Sequence, residues 1–171
     1  MKYIKKKYTK PLRPWDRQRI DMERELLVQF GLRSKKELWR TDEMLKKYRR
    51  LAREFIAKPD KNKMKAVMER LVKMGVLEEG ASIDDILALK TQAFLERRLQ
   101  TILKSKGLAN TIKHARQLIV HGKVKIGDKK ILYPSYMVPR DEEGKISIMQ
   151  FGSKLKVDKN VEEKGTESTG N

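Results

Sequence analysis

Residues 96–140 carry eleven Lys/Arg against two acidic residues, Glu96 and Asp128, a net of +9. The local pattern predicts two short helices and a hairpin, elements too small to bury much of that charge. A compact basic element of this kind repels itself unless a polyanion lies against it. The segment is therefore restricted to folds with a modest core and a strongly positive face, and the partner best suited to such a face is nucleic acid.

Charge divides the rest of the chain as well. Residues 1–58 hold nineteen basic and eight acidic residues, residues 59–95 hold six of each, and residues 141–171 hold five basic and seven acidic. Two basic blocks flank a neutral spacer, and a weakly acidic tail follows. A chain made basic only for solubility has little reason to segregate its charge. With 39% hydrophobic and 37% charged residues in 171, any core is thin for the length. The size suits one ordinary domain or two small ones.

The chain has no cysteine, which removes disulfides, thiolate metal sites and cysteine nucleophiles together. The longest apolar run is Ile86–Leu89, four residues, far short of the ~20 a bilayer span requires. Met1–Lys7 has a basic stretch with no apolar stretch behind it, unlike a signal peptide. The expectation is a cytoplasmic chain with no membrane partner.

Residues 1–15, with Lys5, Lys6, Lys7, Lys10, Arg13 and two prolines, read as a basic extended arm that orders against phosphates. Residues 16–94 read as a helical domain. Ile20, Leu27 and Phe30 recur at helical spacing up to a stop at Gly31. Ser34 and Glu37 have the spacing of a capping box. Behind them Leu38, Leu45, Tyr48, Ala52 and Phe55 fall on one face of a long helix. Lys46, Lys47, Arg49, Arg50 and Arg53 cover the remaining surface, and the three arginines are candidates for phosphate contact. A third helix is expected from Asp60 to Met74, its methionines filling core. Ser82 and Asp85 suggest another capping box, opening a short turn over Ile83–Leu89.

In residues 95–150, Leu95, Leu99, Ile102 and Leu103 form an apolar stripe ending at Lys106-Gly107. Thr111 is a suitable N-cap for a helix with Ala115, Leu118 and Ile119 inward. The period then changes: Val124–Ile126 and Ile131-Leu132 flank Gly127-Asp128, a dipeptide suited to a tight hairpin. Tyr133–Tyr136 reads as a turn and Ile146–Ile148 as a final strand. Residues 151–171 read as a flexible tail. The fold class is α+β, a helical N-terminal domain followed by a small module of two helices and a short antiparallel β-sheet.

Leu95-Glu-Arg-Arg-Leu-Gln-Thr101, Gly107-Leu-Ala, Ala115-Arg-Gln-Leu-Ile-Val-His-Gly122 and Pro134-Ser-Tyr136 resemble, in order and spacing, the small RNA-binding module of the ribosomal protein S-four family. Pro14-Trp-Asp, Lys35-Lys-Glu-Leu-Trp39 and Glu96-Arg-Arg-Leu-Gln-Thr101 resemble the archaeal and eukaryotic branch of that family, over residues 1 to about 150, and the short length favours the archaeal type. One departure is Ile126-Gly127-Asp128, where many members have Val-Asn-Gly. The resemblance implies a structural constituent of the small ribosomal subunit that binds its rRNA early in assembly. It also implies proximity to the S-three and S-five family neighbours, to mRNA where it enters its channel, and an influence on decoding accuracy.

Carried over by position, the implied RNA-binding residues are Arg97, Arg98, Lys104, Lys106, Thr111, Lys113, Arg116, Gln117, His121, Lys123, Ser135 and Tyr136. Arg98 and Arg116 come first, because guanidinium recognises phosphate in a planar, bidentate way; one of them could instead hold the module together. Lys5, Lys6, Lys7, Arg49, Arg50 and Arg53 join them from the residue pattern of the first half. Recognition is expected to be of RNA shape and backbone.

No catalytic, metal or cofactor site is expected. Gly75 and Gly80 have phosphate-loop spacing but lack the lysine that such a loop requires. Asp84-Asp85 and Asp141–Glu143 read as solvated carboxylates. His114 and His121 share a helix face without further ligands. Two rival functions remain: a free-standing RNA-binding factor of the heat-shock or ribosome-rescue type, and an accessory subunit whose first half docks a catalytic partner.

Overall fold

The computed structural model describes residues 6–149. Helices α1 (Arg17–Gln29), α2 (Lys35–Ala57), α3 (Lys61–Lys73), α4 (Ile83–Ala88) and α5 (Thr91–Glu96) form the first half. Helices α6 (Leu99–Ser105) and α7 (Ile112–Val120) follow, then strands β1 (Val124–Ile126) and β2 (Lys129–Lys130), the short α8 (Arg140–Glu143) and strand β3 (Ile146–Ile148). Helices beside a small antiparallel sheet of order β2-β1-β3 make the molecule α+β, as expected. Lys5 and residues 151–171 lie outside the described residues.

The five residues buried on α2 are Leu38, Leu45, Tyr48, Ala52 and Phe55, the stripe that the helical period predicts. Leu45, Tyr48 and Ala52 pack with Leu71 of α3, Leu77, Ile86 of α4 and Phe94 of α5. The Tyr48 and Phe94 rings stack with centroids 5.8 Å apart. Each fully buried Leu, Ile or Phe side chain among them contributes roughly 1.5–3 kcal/mol of transfer free energy. In the second half Leu99, Ile102 and Leu103 meet Ala115, Ile119, Val124, Ile126 and Val138. Strand alternation sends Val124 and Ile126 into that core and leaves Lys125 between them pointing away.

Three local expectations are corrected. The Ser34–Glu37 capping box does not form, because the Glu37 side chain is engaged elsewhere. The apolar stripe from Leu95 is split at Arg97-Arg98, where Arg98 is extended and forms a bridge with Met137. Backbone bonds from Leu99 N to Tyr136 O, 2.8 Å, and from Val138 N to Arg97 O, 3.0 Å, replace the helical ones there. The second hairpin strand is Lys129–Lys130, two residues earlier than the apolar pair Ile131-Leu132 suggests.

A junction joins the two halves. Phe30 and Leu38 pack with Leu95 in a small core of their own. Beside it the buried Gln100 donates to the carbonyls of Phe30, 3.2 Å, and Gly31, 2.9 Å, satisfying oxygens left free where α1 ends. Gly31 has φ +56°, and a Cβ there would lie 2.9 Å from Ile112 Cγ2. The chain therefore needs glycine at this point for both conformation and space.

Candidate RNA interface

In the second half, most of the exposed cations lie on one run of chain, from the end of α6 to the hairpin. Thr111 caps α7, its side chain accepting from His114 N at 3.1 Å. The helical period turns Ala115 and Ile119 inward and leaves Lys113, Gln117 and His121 exposed on the outer side. A shallow groove of about 200 Å³ runs along this side, lined by His114, Gln117, Leu118, His121 and Lys123. Lys104, Lys106 and Ser135 are also exposed. The Lys106 ammonium reaches the Glu143 carbonyl.

Behind this surface the arginines do something different. Arg98, 4% exposed, donates from Nη2 to Glu37 Oε2 at 2.7 Å. Arg116 donates to the same carboxylate, 2.8 Å to Oε1 and 3.2 Å to Oε2, and lies 3.4 Å from Gln100 Oε1. Burial raises the Glu37 pKa, but the hydrogen bonds from Arg116 and Arg98 outweigh it and hold the carboxyl below its ordinary value. Burial lowers the Arg98 pKa, against the support of Glu37. Of the two residues ranked first as phosphate contacts, Arg98 is thus turned inward, and Arg116 is half-buried with its guanidinium occupied. Arginine's planar fork is being used, but on an internal carboxylate.

Arg97 is similarly committed. It donates to the carbonyls of Met74 and Val138, both at 3.0 Å, and to Glu143 Oε2 at 2.9 Å. Tyr136 donates its hydroxyl to Glu142 at 2.7 Å, and that bond, with burial, raises the phenol pKa. Glu142 and Glu143 are therefore partners of the module, not the solvated carboxylates the sequence suggests; α8 exists to bring them round.

In the first half Arg50 and Arg53 are exposed on α2, while Arg49 donates to the Leu89 carbonyl at 2.5 Å. Lys6 and Lys7 are exposed. The arm beyond them is tied down: Tyr8 packs on Trp39 with centroids 5.9 Å apart, and Thr9 donates to Glu43 at 3.2 Å.

Two basic residues of the same surface were not singled out by sequence reasoning. Lys129 and Lys130 of β2 are exposed, and Lys130 stands directly opposite Lys125 in the β1–β2 ladder. Like charges in register destabilise a strand pair unless an anion lies against them. The Lys130 side chain crosses the space where a Cβ on Gly122 would sit, which brings it beside His121 and Lys123. The signal was available in the hairpin: once Gly127-Asp128 is the turn, Lys125 and Lys130 must face each other.

Among the described residues no cluster of His, Asp and Glu could hold a metal, and no helix is long and apolar enough to cross a membrane. What the arrangement offers is a rigid, cationic, partly grooved surface whose supporting arginines are fixed from behind.

The S4 domain family model matches residues 97–143. Small ribosomal subunit protein uS4 of Korarchaeum cryptofilum is 43% identical over 159 residues, 92% of this chain and 95% of the relative. The protein of that name from Hyperthermus butylicus is 46% identical over 142 residues, 81% of each chain. That of Ignicoccus hospitalis is 43% identical over 142 residues, 81% of this chain and 86% of the relative. With matches of this extent reaching well beyond the module and into the helical half, the chain belongs to the small ribosomal subunit protein uS4 family.

Proposed function

We propose that this protein is a non-enzymatic structural constituent of the small subunit of the cytoplasmic ribosome. It binds small-subunit rRNA early in assembly, lies beside the S-three and S-five family proteins, and helps shape the channel through which mRNA enters, with an influence on decoding accuracy. The observation that carries this reading is the exposed run Lys104, Lys106, Lys113, Gln117, His121 and Lys123, set on helices whose arginines are already bound internally. Lysines supply point charges for phosphate, and fixed spacing lets them select RNA by shape, since the deep groove of an A-form helix hides its bases. Lys6, Lys7, Arg50 and Arg53 provide a second contact region on the helical half. Residues 16–94 and 95–150 act as two units, the first scaffolding the second.

Binding to a small-subunit rRNA 5′-domain transcript, against an unrelated structured RNA of equal length over a salt series, tests this. The expected preference is ~100-fold, about 2.7 kcal/mol, at near-physiological salt. Equal affinity at every salt would favour the free-standing RNA-binding factor.

A further inference from the structure

Trp15 is 90% exposed, an unusual setting for the largest apolar side chain. The turn that presents it is nonetheless fixed. Arg19 donates from Nη2 to the carbonyl of Arg13 at 2.6 Å and to that of Pro14 at 3.2 Å, so both residues before Trp15 are held. Arg19 is itself held by Glu23 at 2.8 Å. The buried Glu23 also accepts from Trp39 Nε1 at 3.0 Å and pairs with Lys35 at 3.0 Å. After Trp15, Asp16 caps α1 by accepting from Arg19 N at 3.4 Å. An indole is thus carried into solvent on a backbone braced on both sides.

We propose that Trp15 is a stacking platform for an unstacked nucleobase of RNA. Charge decides between RNA and an apolar protein partner. Lys10, Arg13 and Arg17 around it are exposed. Asp16 is the single acid between residues 10 and 18, and its carboxylate is used by the helix cap. The tip therefore presents a flat apolar ring in a positive field, the combination by which proteins hold single-stranded segments: cations take the backbone and an aromatic face takes the base. Loops and bulges of folded RNA provide such splayed bases. The exposed Leu12 widens the apolar surface. This platform rests on the RNA-binding reading above and adds to it a site outside the module.

The test uses the full chain, with rRNA 5′-domain transcript and unrelated RNA as probes. Trp15→Ala should lower affinity for the transcript about 10-fold, as loss of one base stack does, and Trp15→Phe should restore most of it. Stacking releases no counterions, so the slope of log K against log salt should stay unchanged in Trp15→Ala, whereas Arg13→Ala or Arg17→Ala should flatten it. RNA should quench indole emission in the wild type, and Trp15→Phe, which leaves Trp39 as background, should abolish that quenching. Absent quenching with both RNAs, unchanged affinity in Trp15→Ala, or a loss that Trp15→Phe fails to rescue would overturn the proposal and leave the indole to a protein neighbour. Quenching with equal affinity for both RNAs would keep the stacking site and remove the ribosomal reading.

Discussion

Glu37 of α2 holds Arg116 of α7 through two hydrogen bonds, 2.8 and 3.2 Å, across 79 positions of sequence. The same carboxylate receives the buried Arg98 at 2.7 Å. One acid therefore pairs with two cations at the junction, and the buried Arg98 cannot reach water without opening it.

Removing that acid leaves Arg98 buried and uncompensated. Glu37→Ala is expected to cost about 3 kcal/mol of stability, within the range for breaking a buried pair. Urea denaturation followed by circular dichroism measures it; a loss under about 0.5 kcal/mol would show that the carboxylate is not supporting the junction. Arg116→Ala, which keeps the Arg98 pair, should cost less.

Acid should weaken the protein through the same group. Because the folded-state pKa of Glu37 is depressed, its contribution is complete above the unfolded value of about 4.3 and is lost as pH falls through the lower folded value. Glu23 behaves alike: burial raises its pKa, but Trp39, Lys35 and Arg19 bring it below the ordinary value. Urea midpoints between pH 7 and pH 3 should fall steeply in the wild type. They should fall more gently in the Glu37→Gln, Glu23→Gln double variant, and parallel curves would contradict the assignment.

Charge on the outer face of α7 and in the turn after it should matter for RNA and not for folding. Lys113→Ala and Lys123→Ala should each reduce the salt dependence of rRNA binding by up to ~0.7–0.9 in slope, with stability within about 0.5 kcal/mol of the wild type. Arg98→Ala should show the reverse order of effects, a large stability loss preceding any change in slope. Isotherms at four or five salt concentrations beside thermal melts separate the two classes.

Gly31→Ala should destabilise by about 1–3 kcal/mol. The position has φ +56°, which alone is costly for an L side chain, and the added carbon would crowd Ile112 and Gln100. The opposite case is Gly127→Ala, where φ is the same +56° but no atom lies within 4 Å of the added carbon, so the positive φ acts by itself. The difference between the two thermal midpoints isolates the crowding.

Elements with strong period or punctuation were legible in the chain. The α2 stripe, the Thr111 cap, the Gly127-Asp128 hairpin and the Ile146–Ile148 strand follow from local spacing that nothing distant overrides. What sequence reasoning misses are side chains claimed by remote partners. Glu37 has local capping geometry available, yet two arginines more than sixty positions away outcompete a backbone N–H for it. Arg98 looks like a surface cation because charge counts carry no information about direction. Glu23, on an otherwise ordinary helix face, is buried because Arg19, Lys35 and Trp39 close round it. The lysines are easier to read than the arginines here: Lys104, Lys106, Lys113 and Lys123 stand exposed, whereas Arg97, Arg98 and Arg116 are drawn to internal partners.

The junction also imposes an order on the making of the molecule. The Phe30 and Gly31 carbonyls, Glu37 and Leu38 all find their partners at or beyond Leu95, the last of them at Arg116. Synthesis runs from the N-terminus, so the helical half leaves the ribosome with these groups still in water and waits for more than twenty further residues before it can close. Its last tertiary contacts belong to the slow, long-range kind, and the junction closes only once both halves have been made.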